Sequence, residues 1–225
     1  MWIKICGNTT LEDAQLAADC GADAVGFVFA QSPRRVTTGQ VREITPLLPA
    51  KLEKIGVFVD AECSEIALTV LECGLTGVQL HASFDSGLTL RLRDRFAALP
   101  PGREVKILQV LHFGPGFREQ LNLLRSSGTA DAVLVDSRSA RAAGGTGTSF
   151  NWSAARKSFV GFSLPMIAAG GLRPENVLEA IQTLRPWGVD VSSGVEAAPG
   201  RKDPDRVRAF VAAARGVAQP VKVGS

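Results

Sequence analysis

Several things are scarce in this chain. An excess of either charge is one: 25 Lys and Arg against 22 Asp and Glu leave a formal net charge of +3 over 225 residues, too weak and dispersed for a nucleic-acid groove. The one local cluster, Arg91, Arg93 and Arg95, is interrupted by Asp94 and reads as the solvated face of a helix. Long apolar runs are missing as well. The longest uncharged stretch, Ser158 to Leu172, contains Pro165 and three glycines and falls short of a membrane span. The start of the chain, Met1 to Gly7, lacks the charged, apolar and small-residue segments of a secretion signal, so a cytoplasmic protein without membrane partners is expected. The four cysteines, Cys6, Cys20, Cys63 and Cys73, form no C-x-x-C pair; neither a disulfide frame nor a zinc knuckle is indicated. Histidine occurs only twice, which counts against a metal enzyme built on several imidazoles.

What is present is ordinary globular material, 45% hydrophobic and 21% charged, in a chain long enough for one sizeable core and short for two enzyme domains. Runs rich in Val, Ile and Phe recur roughly every twenty to thirty residues, with segments of three- and four-residue apolar spacing between them. Eight strands are expected: Trp2 to Cys6, Ala24 to Phe29, Lys54 to Val59, Gly77 to His81, Val105 to Leu111, Ala132 to Asp136, Pro165 to Ala169 and Gly188 to Ser192. Helices are expected over Leu11 to Cys20, Thr38 to Leu48, Ser64 to Cys73, Leu88 to Leu99, Phe117 to Leu124, Trp152 to Phe159, Pro174 to Leu184 and Pro204 to Arg215. Thr10 with Asp13 resembles a capping box, and Pro174 and Pro204 sit where a missing N–H is harmless.

Strands apolar on both faces and joined by helical crossovers pair in parallel. Eight of them in this length fit a single (β/α)8 barrel domain spanning residues 1–225. An open doubly wound sheet would need a phosphate loop after its first strand, and Cys6-Gly7-Asn8-Thr9 matches neither the dinucleotide nor the P-loop pattern. A faint internal echo, Gly21-Ala22-Asp23-Ala24-Val25 against Thr129-Ala130-Asp131-Ala132-Val133, places strands two and six in equivalent half-barrel positions.

Chemistry in such a barrel sits where strands end. Cys6, Arg34 and Arg35, His81, Asp136 and Asp190 all fall there, together with three glycine loops: Gly144 to Gly147, Gly170-Gly171 and Ser193-Gly194. Unshielded backbone N–H groups after strands seven and eight suit a phosphate, so a phosphorylated small molecule is the expected ligand.

These residues resemble a known family. Lys4-Ile5-Cys6-Gly7, Ser32-Pro33-Arg34, Val78-Gln79-Leu80-His81, Asp136 with Gly144-Gly145-Thr146-Gly147, Ala169-Gly170-Gly171-Leu172 with Pro174-Glu175-Asn176, and Asp190-Val191-Ser192-Ser193-Gly194-Val195-Glu196 with Pro199-Gly200 and Lys202-Asp203 look like the phosphoribosylanthranilate isomerases of tryptophan biosynthesis. The resemblance runs through nearly the whole chain. It implies an Amadori rearrangement of N-(5-phospho-β-D-ribosyl)anthranilate to 1-(2-carboxyphenylamino)-1-deoxy-D-ribulose 5-phosphate, without metal or cofactor. By that resemblance Asp136 is the general acid that opens the furanose ring and Cys6 the base at ribose C2. Arg34 would hold the anthranilate carboxylate, His81 and Asp190 would line the pocket, and Gly145, Gly170, Gly171, Ser193 and Gly194 would cradle the phosphate. A thiol base needs a cationic or dipolar neighbour, since few free thiols are ionised near neutrality. In this chain Arg35 stands where an aromatic residue is more usual, Asn8 where an aliphatic one is, and Thr148 where a basic one is. A sister phosphate-binding barrel, such as an indole-glycerol-phosphate synthase, a ribulose-phosphate epimerase or an imidazole-pathway isomerase, and a non-catalytic phosphate-binding barrel remain alternatives. Monomer and homodimer are both compatible with the sequence.

Overall fold

Alternation along the strands decides which side chains fill the barrel and which meet the helices outside. The computed structural model describes residues 1–100, 103–136, 152, 156–157, 159 and 162–216. Eight parallel strands close in chain order: β1 Trp2–Ile5, β2 Ala24–Val28, β3 Glu53–Phe58, β4 Gly77–Leu80, β5 Lys106–His112, β6 Ala132–Asp136, β7 Met166–Ala169 and β8 Gly188–Val191, with β8 pairing back onto β1. Around them lie α1 Leu11–Asp19, α2 Thr38–Ile44, α3 Cys63–Glu72, α4 Ser86–Ala97, α5 Phe117–Ser127, α6 Val177–Leu184 and α7 Pro204–Gly216. Among the described residues no helix is long and apolar enough to cross a membrane.

Because successive strand residues face opposite sides, two separate apolar clusters form. Ile3, Ile5, Val25 and Phe27 face out and pack with helix residues such as Val70 and Phe210. Trp2, Ala24, Ile55, Leu108, Val110, Ala132, Leu134, Ile167 and Ala169 face in and fill the barrel. One layer above Trp2 the filling turns polar. Lys4, fully buried, pairs its ammonium with Asp190 Oδ1 at 2.9 Å and donates to Gln79 Oε1 at 2.7 Å. The same inward parity, carried two residues further, brings Cys6, His81, His112 and Asp136 to the C-terminal rim.

The echo between strands two and six has a physical basis. The Asp23 carboxylate accepts the amide of Ile3 at 2.8 Å and pairs with Arg215, while Asp131 accepts the amide of Ile107 at 2.6 Å and pairs with Arg93. Each aspartate thus satisfies the open end of the preceding strand. Arg93 corrects the solvated-face reading: it is half-buried, and its guanidinium also donates to the carbonyls of Thr129 and Val105. Asp131→Ala is expected to lower stability by about 1–3 kcal/mol, the cost of leaving these donors unmet. Urea unfolding checks this, and an unmoved midpoint contradicts it.

Most boundaries fall within a residue or two of expectation, and the differences have local causes. Thr10 accepts from the Asp13 amide as expected, but the reciprocal capping box is at Thr37 and Gln40. The helix expected from Pro174 begins at Val177, because Asn176 accepts the Arg173 amide and donates to the Gly171 carbonyl, folding Pro174–Asn176 into a turn. A hairpin, β9 Glu196–Ala198 with β10 Arg201–Lys202, follows β8 and was not expected; its strands are too short for a periodic signal. The helix expected over Trp152 to Phe159 lies largely outside the described residues.

Candidate active site

Cys6 follows the last residue of β1, and its amide bonds the Val191 carbonyl at 2.8 Å. Its thiol lies against β2 at Gly26, where a Cβ would come within 2.7 Å of Sγ and 3.0 Å of Lys4 Cε. Only glycine leaves room there for both side chains. Asn8, fully buried, bonds the carbonyls of Ile5 and Gly26 through Nδ2 and so staples the turn carrying Cys6 to β2. This is what the polar residue does where an aliphatic one is usual.

Burial pushes the Cys6 thiol upward. The ammonium of Lys4, which also hydrogen-bonds it, and that of Lys202 pull it back, while Asp190 adds to the rise. Two cations therefore supply the neighbours that a thiolate requires. Lys4 itself is raised: burial alone would lower it, but Asp190 and Cys6 outweigh that. Lys202 lies on β10, nearly buried, with Nζ on the Cys6 carbonyl at 2.6 Å and on Glu196 Oε1 at 3.0 Å. Both lysines were overlooked as site residues. A lysine between isoleucines in a strand is the signal for Lys4, whereas Lys202 depends on a hairpin that periodicity does not reveal.

Arg34 and Arg35 point to different places. Arg34 lies over Gly7, where a Cβ would stand 2.6 Å from its Cδ, and it grips Glu196 through Nε at 2.8 Å and Nη2 at 2.6 Å. Gly7 has a φ of +74°, a conformation that glycine adopts freely. With one edge of the guanidinium fixed by Glu196, its terminal Nη1 and Nη2 edge remains as a fork for a second carboxylate. Arg35 is exposed and touches Gln31.

Across the mouth, His81 follows β4, its amide bonded to the Phe58 carbonyl at 2.9 Å. His112 and Asp136 end β5 and β6 as register partners. Burial lowers His81, opposed by Asp136, with His112 adding to the fall. Asp190 sits one layer below the mouth, its Oδ1 on Lys4. The loops after β7 and β8 are adjacent. Gly170 and Gly171 have φ of +82° and +68°. Gly194 lies so close to the Leu172 carbonyl that a Cβ would collide with it. Ser193 and Gly194 belong to a short 3-10 turn over Ser193–Val195. Gly145 lies outside the described residues.

A barrel whose rim collects a thiol, a carboxyl, an arginine fork and two glycine loops has clear relatives. Residues 3–213 match the family model described as N-(5'phosphoribosyl)anthranilate (PRA) isomerase. An N-(5'-phosphoribosyl)anthranilate isomerase of Geobacter sulfurreducens is 42% identical over 217 residues, covering 95% of this chain and 98% of the relative. The crystal structure of phosphoribosyl anthranilate isomerase from Thermotoga maritima superposes with a TM-score of 0.83 at 34% identity, covering 96% of this chain and 99% of that one. A crystal structure of a phosphoribosyl anthranilate isomerase in complex with reduced 1-(o-carboxyphenylamino)-1-deoxyribulose 5-phosphate gives 0.78 at 33% identity, with coverage of 96% and 99%. With a family match along almost its whole length, and relatives alike in sequence and in fold, the chain belongs to the N-(5'-phosphoribosyl)anthranilate isomerase family.

Proposed function

We propose that this chain carries out the rearrangement its family is named for, with Asp136 as acid and Cys6 as base. The reaction isomerises an aminoaldose to an aminoketose. Asp136 donates a proton to the furanose ring oxygen as the C1–O bond breaks, leaving an open-chain iminium ion and a carboxylate. The Cys6 thiolate then takes the proton from C2, and its electron pair flows into the C1–C2 bond to give the enolamine. Loss of the enol proton and protonation at C1 complete the ketone. The iminium acidifies C2, and Lys4 and Lys202 favour the thiolate form.

The observation that carries this reading is the shared inward parity of Cys6, just after β1, and Asp136, at the end of β6, at one rim of a closed barrel. The paired glycine loops after β7 and β8 suit the 5-phosphate, and Arg34 suits the anthranilate carboxylate. Expression in a bacterium that requires tryptophan because it lacks this isomerase tests the reading. Growth without tryptophan is expected; no growth despite folded protein contradicts it.

The assignment of Arg34 has its own test. Arg34→Ala should raise KM by about tenfold or more, with a smaller change in kcat, as expected for a lost charge-assisted pair. Glu196→Gln should move KM the same way to a lesser degree, because Glu196 only holds the guanidinium in place. Arg35→Ala should leave KM unchanged. Steady-state kinetics decide, and an unaltered KM in Arg34→Ala removes it from substrate binding.

A further inference from the structure

The chain has only two histidines, and the fold brings both to one carboxylate. His81 follows β4, His112 and Asp136 end the neighbouring β5 and β6, and one ligand atom from each lies within 4.8 Å of the other two. The two imidazole rings are tilted at 54° with centroids 5.3 Å apart, so they do not stack face to face. Their backbones are held firmly. His112 and Asp136 are register partners between β5 and β6. The backbone around His81 is fixed by its own amide and by Gln109, whose side-chain amide donates to the carbonyls of Leu80 and Ala82. All three ligand residues are partly open to solvent, which leaves an entry route.

Two nitrogen donors and one carboxylate oxygen are a zinc-type set with one position left for water. Bond lengths of about 2.0–2.2 Å put tetrahedral donors about 3.4 Å apart, so modest side-chain rotations close the triangle. We propose that His81, His112 and Asp136 form a binding site for a zinc-class divalent ion at the barrel mouth, and that an ion bound there inhibits the isomerase by occupying the Asp136 carboxylate. The ion takes no part in the reaction. Binding depends only on the three side chains; inhibition rests on the proposed role of Asp136. Imidazole ligation favours Zn²⁺, Co²⁺ and Ni²⁺ over Mg²⁺ and Ca²⁺.

The test uses the whole protein, stripped with a chelator that is then removed. Titration with Zn²⁺ by calorimetry, and with Co²⁺ by visible absorption, should show one ion per chain. His112→Phe, which keeps a ring in place, and His112→Gln should each weaken binding at least about tenfold. In both variants the ratio of turnover with and without added Zn²⁺ should stay near one. In the wild-type enzyme Zn²⁺ should lower kcat, and chelator should reverse it. No binding by millimolar Zn²⁺, binding unchanged in both His112 variants, or a cobalt spectrum with thiolate charge-transfer bands overturns the site. Zinc bound through His112 without inhibition overturns the inhibitory half, and a metal-free enzyme without turnover contradicts the proposed function while the binding result stands.

Discussion

Cys6→Ala and Asp136→Asn should each lower kcat by at least about a hundredfold, the usual worth of a positioned base or acid, with little change in the urea unfolding midpoint. Neither substitution adds bulk. Cys6→Ala removes one sulfur from a site already shaped by Gly26, and Asp136→Asn keeps the shape of its side chain at the end of β6. The double variant should be little worse than either single one, because acid and base serve the same conversion. The pH profile carries the sign. Thiolate is the reactive form and burial pushes the Cys6 thiol up, while the acid must hold its proton at the same time, so kcat/KM should pass through an optimum and fall at both extremes of pH. Near-normal turnover in either single variant removes that residue from the mechanism, and a profile that falls on one side only argues against an acid and base pair.

Lys4→Met should cost about 3–5 kcal/mol of stability, the usual consequence of removing one partner from a buried ion pair. Lys4 is fully buried, and its ammonium joins Asp190 and Gln79 inside the barrel. Methionine fills much of the volume but leaves the Asp190 side chain, only 9% exposed, without its cation. The double variant Lys4→Met with Asp190→Leu should recover most of the loss, since an apolar layer of similar volume can replace an ion pair. Urea denaturation of the four proteins measures the coupling. A loss below about 1 kcal/mol in the single variant, or no recovery in the double, contradicts the pair as the structural centre of that layer. In the single variant that still folds, the limb of the pH profile set by the thiol should also move to higher pH, because a cation beside the thiol is gone.

The barrel was legible because its strands are short apolar runs with glycine or aspartate at their edges, and the residues at their C-terminal ends follow from that register. Cys6, His81 and Asp136 were reachable in this way. Arg34 and Arg35 are adjacent in sequence, and only the loop crossing over Gly7 decides which one turns inward. Glu196 and Lys202 owe their places to a hairpin of three and two residues, below the length at which alternation says anything. Arg93 was misread for a related reason. A charge on a helix surface reads as solvated unless the partner is known, and here the partner is Asp131, 38 positions away. Asp23 and Asp131 show the converse, where a weak sequence echo reflects one structural job performed twice.

In the proposed reaction the barrel isomerises a phosphoribosylated aromatic amine with its own thiol and carboxyl. The most direct measurement supplies freshly generated N-(5-phospho-β-D-ribosyl)anthranilate to the purified, metal-free protein and follows substrate and product together. Stoichiometric, enzyme-dependent formation of 1-(2-carboxyphenylamino)-1-deoxy-D-ribulose 5-phosphate is expected. Substrate that decays no faster with the folded protein than in buffer alone would contradict it.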